Sequence, residues 1–348
     1  MVEIELCEDL LDDIIVRLPP KYILQFRCVS KSWCSSINSS NFIRNQAIHS
    51  VARARRAVNI ACKVHIEYDV YKMLHRSKLE GPLLELDSLK FLGGCNAFNS
   101  CYGIICLYNY QTSIPSFTLW NPSIRRKLNV PNVPCDPCRQ YSMVFGFGYD
   151  QIADDYNIVG LSYGTLKIVF LYSTKTNSWS EFDPPKADPH FMVQSKACFV
   201  DGVMHWLVNN YSLNTNDSYI LTFDLSSRVF GTISLPNITL GIIHLLMCRG
   251  YLTVLSKNDE DSSIWLRKLD HNNVASWSGP FKIICSYEKG GTRVSINDLQ
   301  IEVPKAYNPF TEASRTFVTS PNSCVKCEID GYMETLALLG NDNCSTNK

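Results

Sequence analysis

Three tight-turn signals recur at a fixed interval through most of this sequence. Tyr102-Gly103 precedes IICLYNY, Asp201-Gly202 precedes VMHWLVNN, and Arg249-Gly250 precedes YLTVLSKN, with the glycines 99 and 48 residues apart. A glycine at this place supplies the positive φ that a two-residue hairpin turn requires. The spacing implies a repeat near 49 residues in which one unit lacks the glycine. That unit is MVFGFGYDQIADDYNIVGLSY, with Asp154-Asp155 expected at its turn. A second mark keeps step with the first: a strand, a polar turn and an aromatic, in TLWNPSIRRKL, FLYSTKTNSWSEF, LTFDLSSRVFGTI and LRKLDHNNVASWSGPF, and more weakly in KAYNPFTEASRTF. Trp179 and Trp277 stand 98 residues apart, twice the same period.

A unit of about 40 to 50 residues with about four short strands is the signature of a β-propeller blade. One such sheet cannot bury both faces alone, so blades stack around an axis and the ring must close. Five units span about residues 95 to 320, and the stretch 62 to 92 offers strands to complete the ring. The last unit is irregular, with only 38 residues from Asp270 to Asn308.

The first 56 residues have a different texture, with a helical period. Leu10, Leu11, Ile14, Ile15 and Leu18 fall on one helix face, and Glu8, Asp9, Asp12 and Asp13 suit the positive end of its dipole. Pro19-Pro20 ends that helix, a second fits 21 to 28, and Ser30 is placed to cap a third running through Ile37. NFIRNQAIHSVARARR reads as a fourth, with Phe42, Ile43, Ala47, Ile48 and Val51 on one side. Helices this short are not stable alone, so a neighbouring domain or another protein must cover their apolar surface.

Composition excludes several function classes. Lysine plus arginine equals aspartate plus glutamate at 33 each, leaving no basic footprint for nucleic acid; the run ARARR at 52–56 reads as a solvated helix face. The acidic start MVEIELCEDLLDD is unlike a secretory signal, and no run reaches the roughly 18 to 20 apolar residues of a membrane span. A soluble intracellular protein is expected, with most of its fifteen cysteines reduced and buried as small hydrophobes. The pairs Cys135/Cys138 and Cys324/Cys327 have the spacing of zinc ligands if they meet in space. Such spacing arises easily among fifteen cysteines, and Asp136-Pro137 reads as a turn, so neither a metal nor a cofactor is expected. GFGYDQ lacks the third glycine of a dinucleotide loop, EKGGTR lacks the lysine-hydroxyl pair of a phosphate loop, and the seven histidines are scattered. His205, inside an apolar strand, reads as a satisfied half-buried imidazole rather than a ligand.

The stretch LCEDLLDDIIVRLPPKYILQFRCVSKSWCSSINSSNFIRNQ resembles an F-box, the module by which plant F-box proteins dock onto the Skp-type adaptor of a cullin-based ubiquitin ligase. EDLL opens the first helix, RLP closes it, and FRCVSKSW leads into FI. Cys7 departs from the pattern, since the family usually carries proline directly before the acidic pair. The remainder resembles the F-box-associated (kelch-like) domain of the same family, on CYGIICLYN, LWNPSIRR, VFGFGYD, DDYNIV, NSW, GVMHWL, FDLSSRVF and the closing YMETLALL. Between 284 and 306 it departs from the longer penultimate strand pair of that domain. The overall texture is also similar to the pollen S-locus F-box group.

The resemblance implies a small all-α N-terminal F-box of three to four short helices, followed by an all-β, kelch-like β-propeller. The expected bounds are 1–56 for the F-box, 57–94 for a connecting segment with the first propeller strands, 95–340 for the propeller and 341–348 for a disordered tail. It further implies a non-catalytic receptor of a Skp-cullin-F-box ubiquitin ligase, in cytoplasm or nucleus, whose propeller holds a target protein. The alternatives are an F-box interaction protein acting without cullin and a propeller enzyme working at a central channel. Leu6, Leu10, Leu18, Pro19, Ile23, Leu24, Val29 and Trp33 are the expected adaptor-binding residues, with about half of them, Leu24, Val29 and Trp33 in particular, expected to be the F-box's own core instead. Lys21, Arg27 and Lys31 form a polar rim around them. The target is expected on loops 135–142, 183–190, 209–217, 256–263 and 286–292, with Tyr141, His190, Tyr211 and Tyr287 as anchors.

Overall fold

The protein is described by a computed structural model over residues 8–54, 58–66, 68–76, 84–91, 95–109, 114, 116–134, 143–162, 168–183, 191–193, 197–210, 218–238, 242–248, 250–257, 262–269, 274–283, 293–296, 299–302, 306–308, 313–315, 327–328, 330–332, 334–339 and 345–346. Four helices open it: α1 (Glu8–Ile15), α2 (Pro20–Phe26), α3 (Lys31–Asn38) and α4 (Ser40–Ala54). The two prolines both end one helix and start the next. Pro19 is the N-cap of α2 and Pro20 occupies its first turn, where a missing amide costs nothing, so α2 begins one residue before the expected 21. Ser30 caps α3 as expected, its Oγ accepting from Trp33 N at 3.1 Å. Ser36 Oγ ties α3 back to α1 by donating to the Asp12 carboxylate at 2.8 and 3.0 Å.

The buried face of α4 differs from the expected stripe. Phe42 is buried and Ile43 packs beside it, but Ile48 is 61% exposed while Gln46 and Ser50 are buried. Gln46 tolerates burial because both ends of its amide are engaged: Nε2 donates to Ser50 Oγ at 2.8 Å, and Oε1 accepts from the backbone N of Leu336 at 3.1 Å. The Val51 side chain lies outside the described residues.

After α4 the described chain is built of antiparallel sheets. β1 (Val58–Ile66), β2 (Tyr68–Arg76) and β3 (Leu84–Phe91) form a meander whose free edge is taken by Asp330–Tyr332, so one sheet joins strands from both ends of the β region. Four further meanders follow. The first holds β4 (Cys95–Cys101), β5 (Ile104–Asn109), β6 (Ser116–Asn121) and β7 (Arg126–Asn129). The second holds β8 (Met143–Asp150), β9 (Asp155–Ser162), β10 (Val169–Ser173) and β11 (Ser178–Phe182). In the third, β12 (Phe191–Val193) and β13 (Cys198–Val200) share the edge of β14 (Val203–Asn210), followed by β15 (Ser218–Asp224) and β16 (Phe230–Ser234). The fourth holds β17 (Ile242–Cys248), β18 (Tyr251–Lys257), β19 (Ser262–Leu269) and β20 (Ala275–Ile283). The fold is thus a helical module followed by an all-β, propeller-like succession of four- and five-stranded sheets. Shorter strand pairs follow at Arg293–Ile296 with Leu299–Glu302 and at Ala306–Asn308 with Ala313–Arg315. Ser345–Thr346 pairs with β7, where a disordered tail was expected over 341–348.

The hairpin turns carry the expected backbone signature. Tyr102 and Gly103 have φ of 41° and 79°, and Asp201 and Gly202 have 48° and 81°, positive at both central positions. The unit without the glycine turns differently from expectation. Its turn is Gln151–Asp154, and Asp155 is already the first residue of β9, paired with Asp150. Asp150 makes this longer turn possible by accepting from the backbone N of Ile152 and Ala153 at 2.9 and 3.0 Å.

By contacts the chain forms two compact units, Met1–Asn132 with Glu328–Lys348, and Val133–Cys327. Within the second unit, β14 shows why VMHWLV reads as a continuous apolar run. Met204, Trp206 and Val208 face a core shared with β9 and β10, while Leu207, on the other face, joins Ile220, Val254 and Trp265. The two glycines of FGFGYD find their role here. A Cβ on Gly146 would stand 2.6 Å from Ala197 Cβ, and one on Gly148 would stand 2.3 Å from Phe199 Cδ2. They are close-packing positions on β8, not a phosphate loop.

Candidate docking face

In the first unit the helices share one core with distant parts of the chain. Ile15, Val16, Ile23, Ile37 and Phe42 pack with Ile124, from the turn Pro122–Ile124 between β6 and β7, and with Leu336 and Leu339 near the C-terminus. This burial gives the helices the cover that their length demands.

The apolar doublets of α1 are split by this packing. Ile15 and Val16 point inward, whereas Leu10 and Ile14, four residues apart on one stripe of the helix, are 48% and 50% exposed. Tyr22 on α2 and Val29 after it are 53% and 62% exposed. These are large apolar side chains left in water next to a satisfied core, the pattern of a surface that docks a partner. Lys21 and Lys31 are exposed near them in sequence, and Arg17 Nε donates to Asp13 O at 2.9 Å.

The eight expected adaptor residues separate accordingly. Leu10 and Val29 lie on the surface. Ile23 is fully buried, and Leu18, Leu24 and Trp33 are half-buried against the same core, Trp33 with its ring centroid 5.3 Å from that of Phe26. Pro19 is half-buried and caps α2. Leu6 lies outside the described residues. Ile14 and Tyr22 were not expected; the signal for Ile14 was its place one helical turn after Leu10.

Of the expected target contacts, Tyr141, His190, Tyr211 and Tyr287 lie outside the described residues, as do Cys135, Cys138 and Cys324. The strand ends that border the five candidate loops all lie at the ends of their sheets away from the tight turns. At the turn end of the second unit, the Ser226 hydroxyl donates to Asp150 Oδ1 at 2.6 Å, joining the β8–β9 turn to the β15–β16 turn. Burial alone would raise the Asp150 carboxyl. The hydrogen bonds from Ser226, Ala153 and Ile152, with the charge of Arg228, outweigh it and hold the group below its ordinary range.

No catalytic constellation emerges among the described residues. No group of three or more His, Cys, Asp or Glu side chains there stands ready to hold a metal ion. His205 is 6% exposed, and its Nδ1–H donates to Cys198 O at 3.1 Å. Burial is the chief cause that pulls it down to about 4, against the opposing hydrogen bond to Cys198 and with help from the Arg267 charge. It is a neutral packing residue. Cys106 is buried and its thiol is pushed well up by that burial, which makes it a poor nucleophile.

Comparison with known families agrees with this architecture. Residues 4–45 match the F-box domain, and residues 71–301 match the F-box associated beta propeller domain. The chain belongs to the plant F-box proteins with an F-box associated β-propeller domain. Among relatives from Arabidopsis thaliana, the F-box/kelch-repeat protein At3g23880 is 24% identical over 299 residues, covering 78% of this chain and 77% of that protein. The F-box protein At5g10340 is 26% identical over 310 residues, covering 78% and 67%. The F-box match covers α1, α2, α3 and the start of α4, so the exposed stripe of Leu10 and Ile14 belongs to the F-box itself. Among the described residues no helix is long and apolar enough to cross a membrane.

Proposed function

We propose that this chain is a substrate-recognition subunit of a Skp-cullin-F-box ubiquitin ligase. Its F-box docks the Skp-type adaptor, and its β domain binds a protein to be ubiquitinated and degraded. The observation that carries this reading is the split of α1: Ile15 and Val16 are held inside by the chain's own core while Leu10 and Ile14 stay in water. Apolar anchors on a short helix suit insertion into a partner's groove, with Tyr22 and Val29 extending the contact and Lys21 and Lys31 as rim charges. The subunit needs no catalytic side chains, because a receptor works by raising the effective concentration of target beside the ubiquitin-charged enzyme. The target is held at the sheet ends away from the tight turns, with Tyr141, His190, Tyr211 and Tyr287 as anchors. Among the described residues Cys28, Cys34 and Cys106 are free thiols, in keeping with action in the cytoplasm or nucleus.

The test is capture of the full chain by purified Skp-type adaptor, wild type against Leu10→Asp/Ile14→Asp. Both changes are at exposed positions, so the variant keeps its helical core. Binding by wild type and its loss in the variant are expected, followed by co-purification of cullin. A folded wild type that fails to bind the adaptor ends the ligase reading.

A further inference from the structure

Residues 334–339 leave the strand at Asp330–Tyr332 and fold into the F-box rather than into a sheet. Thr335, Leu336, Ala337, Leu338 and Leu339 are all buried. Leu336 and Leu339 supply apolar side chains to the core of the helices, and the backbone N of Leu336 reaches the buried Gln46. The other side of the segment is tied to the β4–β7 sheet. Asn121 Nδ2 donates to Thr335 O at 3.0 Å and to Ala337 O at 2.8 Å. Arg126 Nη1 donates to Leu338 O at 3.1 Å and to Leu339 O at 2.7 Å.

We infer that this segment is a clasp that makes adaptor docking conditional on its closure, so that adaptor binding and clasp closure are reciprocally linked; the inference rests on the docking reading above. Opening the clasp removes two leucines from a core of short helices and leaves Gln46 Oε1 and the Asn121 amide without these partners in a buried setting. The inner residues Ile15, Val16 and Ile23 then lose the surface that fixes them, and the outward stripe of Leu10 and Ile14 loses its fixed orientation with them. A ligand that binds only the ordered helices must in turn hold the clasp shut. A chain without residues 334–339 carries an F-box sequence and lacks a formed docking face.

The experiment is hydrogen–deuterium exchange on the full chain, wild type against Leu336→Ala and Asn121→Ala, with and without purified Skp-type adaptor. Truncating Leu336 is expected to speed exchange in α2 and α3 about a hundredfold, the scale of a leucine-to-alanine change in a core. Asn121→Ala, which removes the amide bonds to Thr335 and Ala337 and the Oδ1 that accepts from Ser123 N, is expected to do so about tenfold. Amides of β14 and β15 should not change in either. In wild type, bound adaptor should slow exchange across 334–339. The inference is overturned if 334–339 exchanges faster in the variants while α2 and α3 keep wild-type protection, or if bound adaptor leaves 334–339 unchanged. Should wild type bind no adaptor, the docking reading fails, and the arms without adaptor still decide whether the segment holds the helices. If Leu336→Ala also strips protection from β14 and β15, the milder Asn121→Ala decides the matter.

Discussion

Acidification from pH 7 to pH 5 should destabilise the second unit through one imidazole. His205 ionises near 6.5 in an unfolded chain and at about 4 in the folded one, where it is 6% exposed and its Nδ1–H is committed to Cys198 O. The unfolded chain therefore binds more protons below pH 6.5, and stability falls as pH falls. The full penalty, reached below about pH 4, is about 3 kcal/mol, and about 2 kcal/mol of it accrues between pH 7 and pH 5. The assay is denaturant unfolding at both pH values, followed by the fluorescence of buried tryptophan, for wild type and His205→Asn. Asparagine offers an amide donor at the same strand position and does not titrate. The difference in stability loss between the two proteins should be about 2 kcal/mol. Equal losses would refute the reasoning, because they would mean that burial between the sheets does not hold the imidazole neutral.

Other perturbations test the packing and the polar ties. Gly146→Ala places a Cβ 2.6 Å from Ala197 Cβ, and the overpacking should cost about 1–3 kcal/mol, read as a lower denaturant midpoint at unchanged slope. Asp150→Ala leaves the amides of Ile152 and Ala153 and the Ser226 hydroxyl without their acceptor and should cost about 1–3 kcal/mol at pH 7. Because the folded Asp150 carboxyl lies below its unfolded value, its contribution is present above about pH 4 and is lost as pH falls through the folded value. The variant's acid-unfolding profile should therefore be flatter than wild type over that range. Ser30→Ala removes the cap of α3 and should cost about 1 kcal/mol, measured as faster amide exchange at Trp33 and Cys34.

Local chemistry made much of this fold legible. Asp201-Gly202, Ser30 and Pro19-Pro20 act within a few residues of themselves, so the hairpin, the cap and the helix break could be read without knowing any distant neighbour. Residues whose role depends on a distant partner could not. Gln46 is buried where a backbone N–H from residue 336 meets it, and Ile48 is left in water. The glycines at 146 and 148 look like turn residues or a loop fragment in the sequence, yet they are small because β13 and β14 pack against them. Asp150 moved the β8–β9 turn upstream because its carboxylate bonds two amides and a hydroxyl from another sheet.

The same dependence explains why the exposed apolar face of the F-box was only half readable. Helical periodicity assigns Leu10, Leu11, Ile14 and Ile15 to one broad stripe, and it cannot say which edge of that stripe turns inward. The choice is made by Ile124, Leu336 and Leu339, which cover Ile15 and leave Leu10 exposed. Leu10 and Leu336 should therefore affect adaptor affinity by different routes, one by contact and the other by order in the helices. A double-mutant cycle separates them. If Leu336→Ala disorders the stripe that carries Leu10, then Leu10→Ala should cost less affinity in the Leu336→Ala background than in wild type. Strict additivity would mean that the stripe keeps its shape without Leu336, and that the C-terminal segment stabilises the F-box without shaping what it binds.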